Sequence, residues 1–109
     1  MRAIIAVLLL MPVQTGAETL TGAQIAEALT ARVLQYDDGA RQEFKEDGRT
    51  LYETDKPEWG HWRVQGEQYC SQWPPSDRWT CYGITRDGLQ VGFIAGEGSV
   101  TEGRYIDLN

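Results

Sequence analysis

The sequence predicts a mainly β protein, an antiparallel up-and-down meander that forms a half-barrel or small barrel, with one N-terminal helix packed against it. Three observations support this fold class. Beyond residue 33, glycine repeatedly follows an acidic residue, which is typical of hairpin turns. Short aromatic or β-branched segments separate most of these turns, and no crossover helix is available for a parallel sheet. The turn dipeptides are Asp38-Gly39, Asp47-Gly48, Asp87-Gly88, Glu97-Gly98 and Glu102-Gly103.

The first 17 residues have the order of a secretory signal peptide. Arg2 precedes an apolar run over residues 3–11, and the small Thr15 and Ala17 suit a cleavage site before Glu18. The alternative is an apolar helix retained in the fold. A nine-residue helix of about 13 Å is too short for a hydrocarbon core of roughly 30 Å, so we expect no stable membrane anchor after cleavage. The sequence therefore predicts a periplasmic or secreted protein.

The remaining part, residues 18–109, has the length of a single β domain with one modest core. The chain is acidic, with 10 basic and 16 acidic residues and a formal net charge of −6. Lys and Arg form no cluster, so nucleic acid and anionic lipid are poor candidate partners. The acidic residues are scattered, as on a solvated surface.

A helix should begin after Thr21, because Thr21 and Gln24 have the spacing of a capping box. The helix is predicted over residues 22 to about 31, with an apolar stripe. The stripe residues are Ile25, Ala28 and Leu29.

The segments between the turns are predicted as eight strands, and their short connections favour pairing between sequential neighbours. The strands cover residues 32–36, 40–46, 49–54, 59–65, 68–73, 78–85, 89–95 and 99–106. In the seventh strand, alternation assigns one face to the core: Leu89, Val91, Phe93 and Ala95. Glycines within strand patterns indicate bulges or the close approach of another group: Gly60, Gly83 and Gly92.

Two cysteines in an exported chain predict one disulfide, Cys70 to Cys81. Residues 74–77 read as a hairpin loop, and pairing Trp73 with Arg78 puts the two cysteines directly opposite each other. Such a pair has Cα atoms about 4.5 to 5.5 Å apart, within the range of a disulfide. The alternative, a redox pair or two metal thiolates, lacks a CxxC motif and nearby histidine ligands.

The sequence predicts no catalytic residues, no metal site and no cofactor. His61 is the only histidine, and GxSxG, HExxH and P-loop patterns are absent from the sequence. The acidic pairs lack the alternating oxygen spacing of a calcium loop. A small hydrolase that uses His61 with a nearby carboxylate is retained as an alternative, and it requires His61 in a cleft.

Aromatic residues are dense next to the predicted disulfide. They either fill the core of a small domain or form a binding surface with polar neighbours, suited to carbohydrate, a flat apolar ligand or a protein partner. The candidate binding residues are Trp59, Trp62, Arg63, Tyr69, Gln72, Trp73, Arg78, Trp79 and Tyr82. We therefore expect a non-enzymatic protein that binds a small ligand or a partner. The alternative is a periplasmic inhibitor or interaction module, whose acidic surface would suit a basic enzyme.

A sequence motif in this region resembles a family of small secreted bacterial proteins of unknown function. The motif consists of Gly-x-Trp at residues 60–62, Tyr-Cys-x-x-Trp at residues 69–73, and a second cysteine at residue 81. Members of the family are similar to lipocalin-type half-barrels in outline. The resemblance implies a fold and no activity.

Overall fold

A computed structural model describes residues 18–107 of the chain. The predicted signal peptide, residues 1–17, lies outside the described residues, so its cleavage stays a prediction. In the described part, no helix has the length and apolar character needed to cross a membrane.

The described chain contains one helix and nine strands. The helix is α1 (Gly22–Leu29). The strands are β1 (Glu18–Thr19), β2 (Val33–Tyr36), β3 (Arg41–Phe44), β4 (Arg49–Glu53), β5 (Pro57–Gln65), β6 (Gln68–Gln72), β7 (Trp79–Asp87), β8 (Gln90–Ile94) and β9 (Val100–Tyr105). All eight predicted strands are present, and only the short β1 was not predicted.

Strands β2 to β9 form a closed antiparallel barrel in which each strand pairs with its neighbours along the chain. The barrel closes where β9 returns to β2, with Leu34 opposite Tyr105 and Tyr36 opposite Gly103. Strand β1 adds to one side of β7 through Glu18 opposite Arg86. The predicted meander with one N-terminal helix is therefore confirmed, in its closed form.

Helix α1 closes one end of the barrel. Its capping box forms as expected: the Thr21 hydroxyl accepts from the Gln24 backbone N–H, and the Thr21 backbone N–H donates to Gln24. The Tyr105 hydroxyl donates to the Ala28 carbonyl at 2.7 Å, and Gly22 packs against the backbone of Gly66 in the β5–β6 turn. The turns at residues 45–48, 66–67 and 88–89 lie at this closed end.

The core fills the closed half of the barrel. The helix contributes Ile25, Ala28 and Leu29, as predicted, and the strands contribute inward-facing apolar side chains. The buried strand residues of this core are Leu34, Phe44, Trp62, Tyr69, Ile84, Val91, Phe93 and Tyr105. The core does not fill the other end of the barrel. The loops at this open end are residues 37–40, 54–56, 73–78 and 95–99.

The disulfide forms between Cys70 and Cys81, which lie directly opposite each other in β6 and β7. Their Cα atoms are 4.0 Å apart, somewhat closer than expected. The hairpin register also agrees with the prediction, since Gln72 lies opposite Trp79 just before the loop. A disulfide is consistent with an oxidising compartment.

The predicted core face of β8 is confirmed for Val91 and Phe93 but wrong for Leu89, and Ala95 is only half-buried, just beyond the end of β8. Leu89 is 44% exposed because it belongs to the two-residue turn between β7 and β8 rather than to a strand. Gly60 and Gly92 are positions of close approach, as predicted: a Cβ at either would lie 2.5 Å from a neighbouring side-chain atom. The prediction is wrong for Gly83, which pairs with Ile94 in a regular register and where a Cβ would lie no closer than 3.8 Å to a neighbouring atom.

Candidate functional site

The open end of the barrel contains a cavity of about 590 Å³. Six of its fourteen lining residues are aromatic, and the others are mainly polar or acidic. The aromatic lining residues are Tyr36, Tyr52, Tyr69, Trp73, Tyr82 and Phe93. The others are Asp37, Asp38, Gln42, Glu58, Ser71, Val100, Thr101 and Glu102. The molecule is therefore a cup with one end filled by the helix and the other open.

The aromatic rings form a continuous wall around the cavity. Tyr52 contacts Trp73 edge-to-face at 6.0 Å between centroids, and contacts Tyr36 at 6.1 Å. Phe93 continues the wall, 5.9 Å from Tyr36 and 5.4 Å from Tyr69. Rings at these separations interact favourably with one another, so the wall is formed before any ligand arrives.

Two glycines in the facing strands make room for this wall. A Cβ at Gly60 would lie 2.5 Å from the Trp73 ring, and a Cβ at Gly103 would lie 3.1 Å from the Tyr36 ring. Glycine at these two positions lets both rings lie flat against the barrel backbone. The cavity keeps its width as a result.

The floor of the cavity is a hydrogen-bonded network centred on Gln42, which is only 5% exposed. The side-chain amide of Gln42 donates to the Thr50 hydroxyl at 3.0 Å and to the Tyr69 hydroxyl at 3.1 Å. Its carbonyl oxygen accepts from the Tyr36 hydroxyl at 2.6 Å. Each polar atom of the Gln42 amide is thus hydrogen-bonded, and the bonds with Tyr36 and Tyr69 hold these two rings of the wall in place.

Burial keeps the phenols of the floor neutral. Burial raises the pKa of Tyr69 to about 12, against the opposing effect of hydrogen bonds with Ser71 and Gln42. Burial also raises the pKa of Tyr36 well above its ordinary value, and neighbouring tyrosines and Asp38 act in the same direction. Both hydroxyls therefore stay protonated, as hydrogen-bonding groups, beyond the pH at which an ordinary tyrosine ionises.

Trp73 forms the wall nearest the β6–β7 loop. Its indole N–H donates to the Ser71 hydroxyl at 3.2 Å, and its ring is half-buried between Gly60 and Tyr52. A half-buried indole held by one hydrogen bond presents part of its surface to the cavity. Trp73 is consequently a useful reporter of anything that enters.

The rim of the cavity is acidic, and among residues 18–107 no Lys, Arg or His lines it. The carboxylates are those of Asp37, Asp38, Glu58 and Glu102. The backbone N–H of Ala40 donates to Asp38 at 2.9 Å and fixes that carboxylate in its turn. The pKa of Tyr52 is raised by burial and by the nearby charges of Asp38 and Glu58, so the negative field of the rim reaches the aromatic wall.

The structure brings three of the nine predicted binding residues into the cavity: Tyr69, Trp73 and Tyr82. Trp62 faces inward but lies in the core, where its indole N–H donates to the Lys45 carbonyl at 2.9 Å. The other five lie outside the cavity: Trp59, Arg63, Gln72, Arg78 and Trp79.

The outer residues form separate contacts on the barrel surface. The Arg63 guanidinium lies 3.9 Å from the centre of the Trp79 ring, and Arg49 lies 5.0 Å from Trp59. The Gln72 side chain donates to the Asp77 carbonyl at 3.0 Å. Successive residues of a strand point to opposite faces of the sheet. The aromatic residues of this stretch therefore lie partly inside the barrel and partly on its outer surface.

Sequence reasoning missed the part of the cavity that comes from distant strands. Tyr36, Tyr52 and Phe93 belong to β2, β4 and β8, outside the aromatic-rich stretch. The polar Gln42 and Thr50 occupy inward positions of β3 and β4, which obscures the alternation that would have revealed those faces. Tyr52 follows Thr50 by two residues, and residues two apart in a strand point to the same face of the sheet. This spacing is the sequence signal that places Tyr52 on the inward face.

His61 lies on β5, exposed and directly opposite Arg49. It does not line the cavity, and none of the side-chain hydrogen bonds among residues 18–107 involves its ring. A histidine-dependent hydrolase needs this side chain in a cleft beside a carboxylate. The described surroundings of His61 do not supply that geometry.

Comparison of the chain with protein-family models, with curated proteins and with solved structures gives no match.

Proposed function

We propose that this protein is a non-enzymatic binding protein that takes a small ligand into the open end of its barrel. The observation that carries the proposal is the aromatic-lined cavity of about 590 Å³. Ligand pockets typically have volumes of roughly 300–1,000 Å³ and combine apolar walls with a few fixed polar groups. An eight-stranded barrel has an interior of the size that holds one small ligand.

The preformed wall supports binding rather than simple core packing. Every ring of the wall has a ring partner, and the buried amide of Gln42 has a partner at each of its polar atoms. A wall that is already ordered loses little conformational entropy when a ligand binds, which favours affinity.

The motif that resembles a family of small secreted bacterial proteins supports the same proposal. Gly60 of the Gly-x-Trp part makes room for Trp73 of the Tyr-Cys-x-x-Trp part, so the two halves of the motif build one wall together. Tyr69, from the second part, completes the floor. Membership of that lipocalin-like family is part of this proposal.

We further propose that the protein works in the periplasm or outside the cell. The amino-terminal 17 residues have the order of an export signal, and the Cys70–Cys81 disulfide suits an oxidising medium. In such a compartment the cup would carry or sequester a ligand.

An inhibitor or docking role has weaker support from the surface. Such a role would use exposed aromatics at a loop tip. Trp59, which is 46% exposed, lies on strand β5 beneath Arg49, and Trp73 in the β6–β7 region turns into the cavity. The small-ligand proposal is therefore the one we develop.

The proposal is tested with N-phenyl-1-naphthylamine, a neutral, flat, apolar dye whose fluorescence rises in apolar sites. We expect saturable binding to the purified protein expressed from the full chain. Thr101→Trp places an indole at the mouth, where Thr101 is exposed, and should weaken dye binding by about tenfold because it fills cavity volume.

The matched control is Glu67→Trp, which adds the same side chain to an exposed turn at the closed end. It should bind the dye as the unmodified protein does. Equal dye binding by all three proteins would overturn the proposal, because the dye would then bind somewhere other than the cavity.

A further inference from the structure

We propose that the cavity selects organic cations, with the ligand's positive charge held against aromatic faces behind the acidic rim and its apolar body in the cup. This inference rests on the proposed function, since it names the chemical class of ligand for the same cavity.

The composition of the cavity wall favours a cationic ligand. Five of its six rings are tyrosine or tryptophan, side chains whose electron-rich faces attract desolvated cations strongly. Tyr52, Trp73 and Tyr82 are only partly buried, so their surfaces are available to a ligand. A cation that enters would meet several ring faces at once.

The charge of the rim favours a cationic ligand as well. Four carboxylates line the cavity, at Asp37, Asp38, Glu58 and Glu102, and no cationic side chain of the described residues lines it to cancel them. The basic residues of the surrounding loops, Lys56 and Arg78, are exposed and lie outside the lining. A concave site with one sign of charge concentrates its field, attracting cations and repelling anions.

The base of the cavity is less suited to neutral polar ligands such as sugars. These ligands need unoccupied donors and acceptors at the base of a site, because each of their hydroxyls must be satisfied after leaving water. Both amide N–H groups of Gln42 and its carbonyl oxygen already have protein partners. The Trp73 indole N–H is likewise engaged by Ser71. The base of the cavity therefore offers few free donors to a network of hydroxyls, whereas the ring faces can hold a charge.

The test compares three probes with the same phenyl ring and a short chain: 2-phenylethylamine, 2-phenylethanol and 3-phenylpropanoate. They are cationic, neutral and anionic at pH 7. Titrations of the ¹⁵N-labelled protein, followed by amide NMR shifts, give the affinity of each probe and its location. We expect the amine to bind roughly tenfold more tightly than the alcohol at low salt, and the anion to bind most weakly.

A variant with a neutral rim isolates the charge contribution. The substitutions Asp37→Asn, Asp38→Asn, Glu58→Gln and Glu102→Gln keep side-chain shape, and the amide introduced at position 38 retains an oxygen that accepts from the Ala40 N–H. The preference for the amine over the alcohol should fall to about twofold. The matched control removes four carboxylates at the closed end: Glu27→Gln, Glu46→Gln, Glu67→Gln and Asp87→Asn. It should keep the full preference.

Salt provides a second measurement that needs no variant. Because rim charges are screened, NaCl at about 0.5 M should weaken binding of the amine severalfold and leave the alcohol unaffected. If the alcohol or the anion binds as tightly as the amine, the cation inference is overturned and the proposed function stands. If none of the three probes shifts the amides of the cavity residues while N-phenyl-1-naphthylamine still binds there, the cation inference alone is overturned; if the dye does not bind in the cavity either, the proposed function fails as well.

Discussion

Gly60 is the residue on which one wall of the cavity depends. It lies on an inward position of β5, and the Trp73 ring occupies the space where a side chain would be. Trp73 in turn contacts Tyr52 and donates to Ser71, so a displacement of its ring would spread to both. The absence of one methyl group therefore determines the shape of the site.

We predict that Gly60→Ala displaces Trp73 and destabilises the protein by about 1 to 3 kcal/mol, because the new Cβ overlaps the indole and the adjacent backbone carbonyl. Guanidinium unfolding measures the loss, and near-UV circular dichroism reports the indole environment. Gly83→Ala is the control, since a Cβ there would lie no closer than 3.8 Å to a neighbouring atom. Equal stability of the two variants would contradict this account of Gly60.

Tyr69 links stability to alkaline pH. Its pKa is raised to about 12 in the folded protein, against 10.0 for an ordinary tyrosine. A group with a raised folded pKa contributes stability that is complete below the unfolded value and lost as pH rises through the folded value. Stability should therefore fall between about pH 10 and pH 12, by as much as roughly 1.4 kcal/mol per pH unit for this one group.

Unfolding in denaturant at about pH 8, 10 and 11 measures this slope. Tyr69→Phe removes the titrating hydroxyl, so its stability should fall less steeply over the same range, although it starts lower because Gln42 loses a partner. Tyr36, Tyr52 and Tyr105, whose pKa values are also raised by burial, account for the slope that remains. Parallel pH profiles for the two proteins would contradict the role given to Tyr69.

At the scale of elements, helix α1 is followed by a residue that is poorly suited to its backbone conformation. Ala31 has a φ of 62°, in the left-handed region, immediately after the C-cap Thr30. Its backbone N–H donates to the Phe44 carbonyl at 2.7 Å and ties the helix to β3. Glycine is the usual residue at this position because a Cβ is strained there.

We predict that Ala31→Gly stabilises the protein by about 0.5 to 1 kcal/mol, since the strain of the left-handed conformation exceeds the entropy that glycine loses on folding. The melting temperature should rise by a few degrees. Ala26→Gly, the same substitution inside the helix, should destabilise by about 1 kcal/mol. A lower melting temperature for Ala31→Gly would show that the conformation at residue 31 does not limit stability.

The elements that were predictable from the sequence are those with local signals. The capping box marked the start of α1, and turn dipeptides marked the hairpins, so these elements agree with the structure within a few residues. Closure of the barrel depends on β2 meeting β9, a pairing of strands about 70 residues apart that no local pattern specifies. The sequence accordingly left a half-barrel and a barrel as equal possibilities.

The site was predictable only in part for a related reason. Aromatic density identified the correct hairpins, β5 to β7, but successive residues of a strand point to opposite faces. Tyr69 and Trp73 therefore enter the cavity whereas Trp59 and Trp79 lie outside its lining. The opposite wall, with Tyr36 and Tyr52, becomes adjacent only after the barrel closes.

At the scale of the whole molecule, the two ends of the barrel serve different purposes. The closed end holds the helix and most of the apolar core, which supply the stability of a small domain. The open end holds glycines, polar groups and carboxylates, which form the cavity and stabilise the fold less than the apolar core does. The disulfide joins β6 and β7, which carry Tyr69, Trp73 and Tyr82 on or beside them.

We predict that reduction of the Cys70–Cys81 disulfide lowers the free energy of unfolding by about 2 to 3 kcal/mol, because the unfolded chain regains the freedom of a loop that spans 11 residues. Scanning calorimetry with and without dithiothreitol should show a clear drop in melting temperature. Cys70→Ser with Cys81→Ser should melt at the lower temperature and show no response to dithiothreitol. Below that temperature the reduced protein should still bind N-phenyl-1-naphthylamine, since neither cysteine lines the cavity. An unchanged melting temperature on reduction would mean that the hairpin is held by its strand pairing alone, and that the oxidising compartment matters little to this fold.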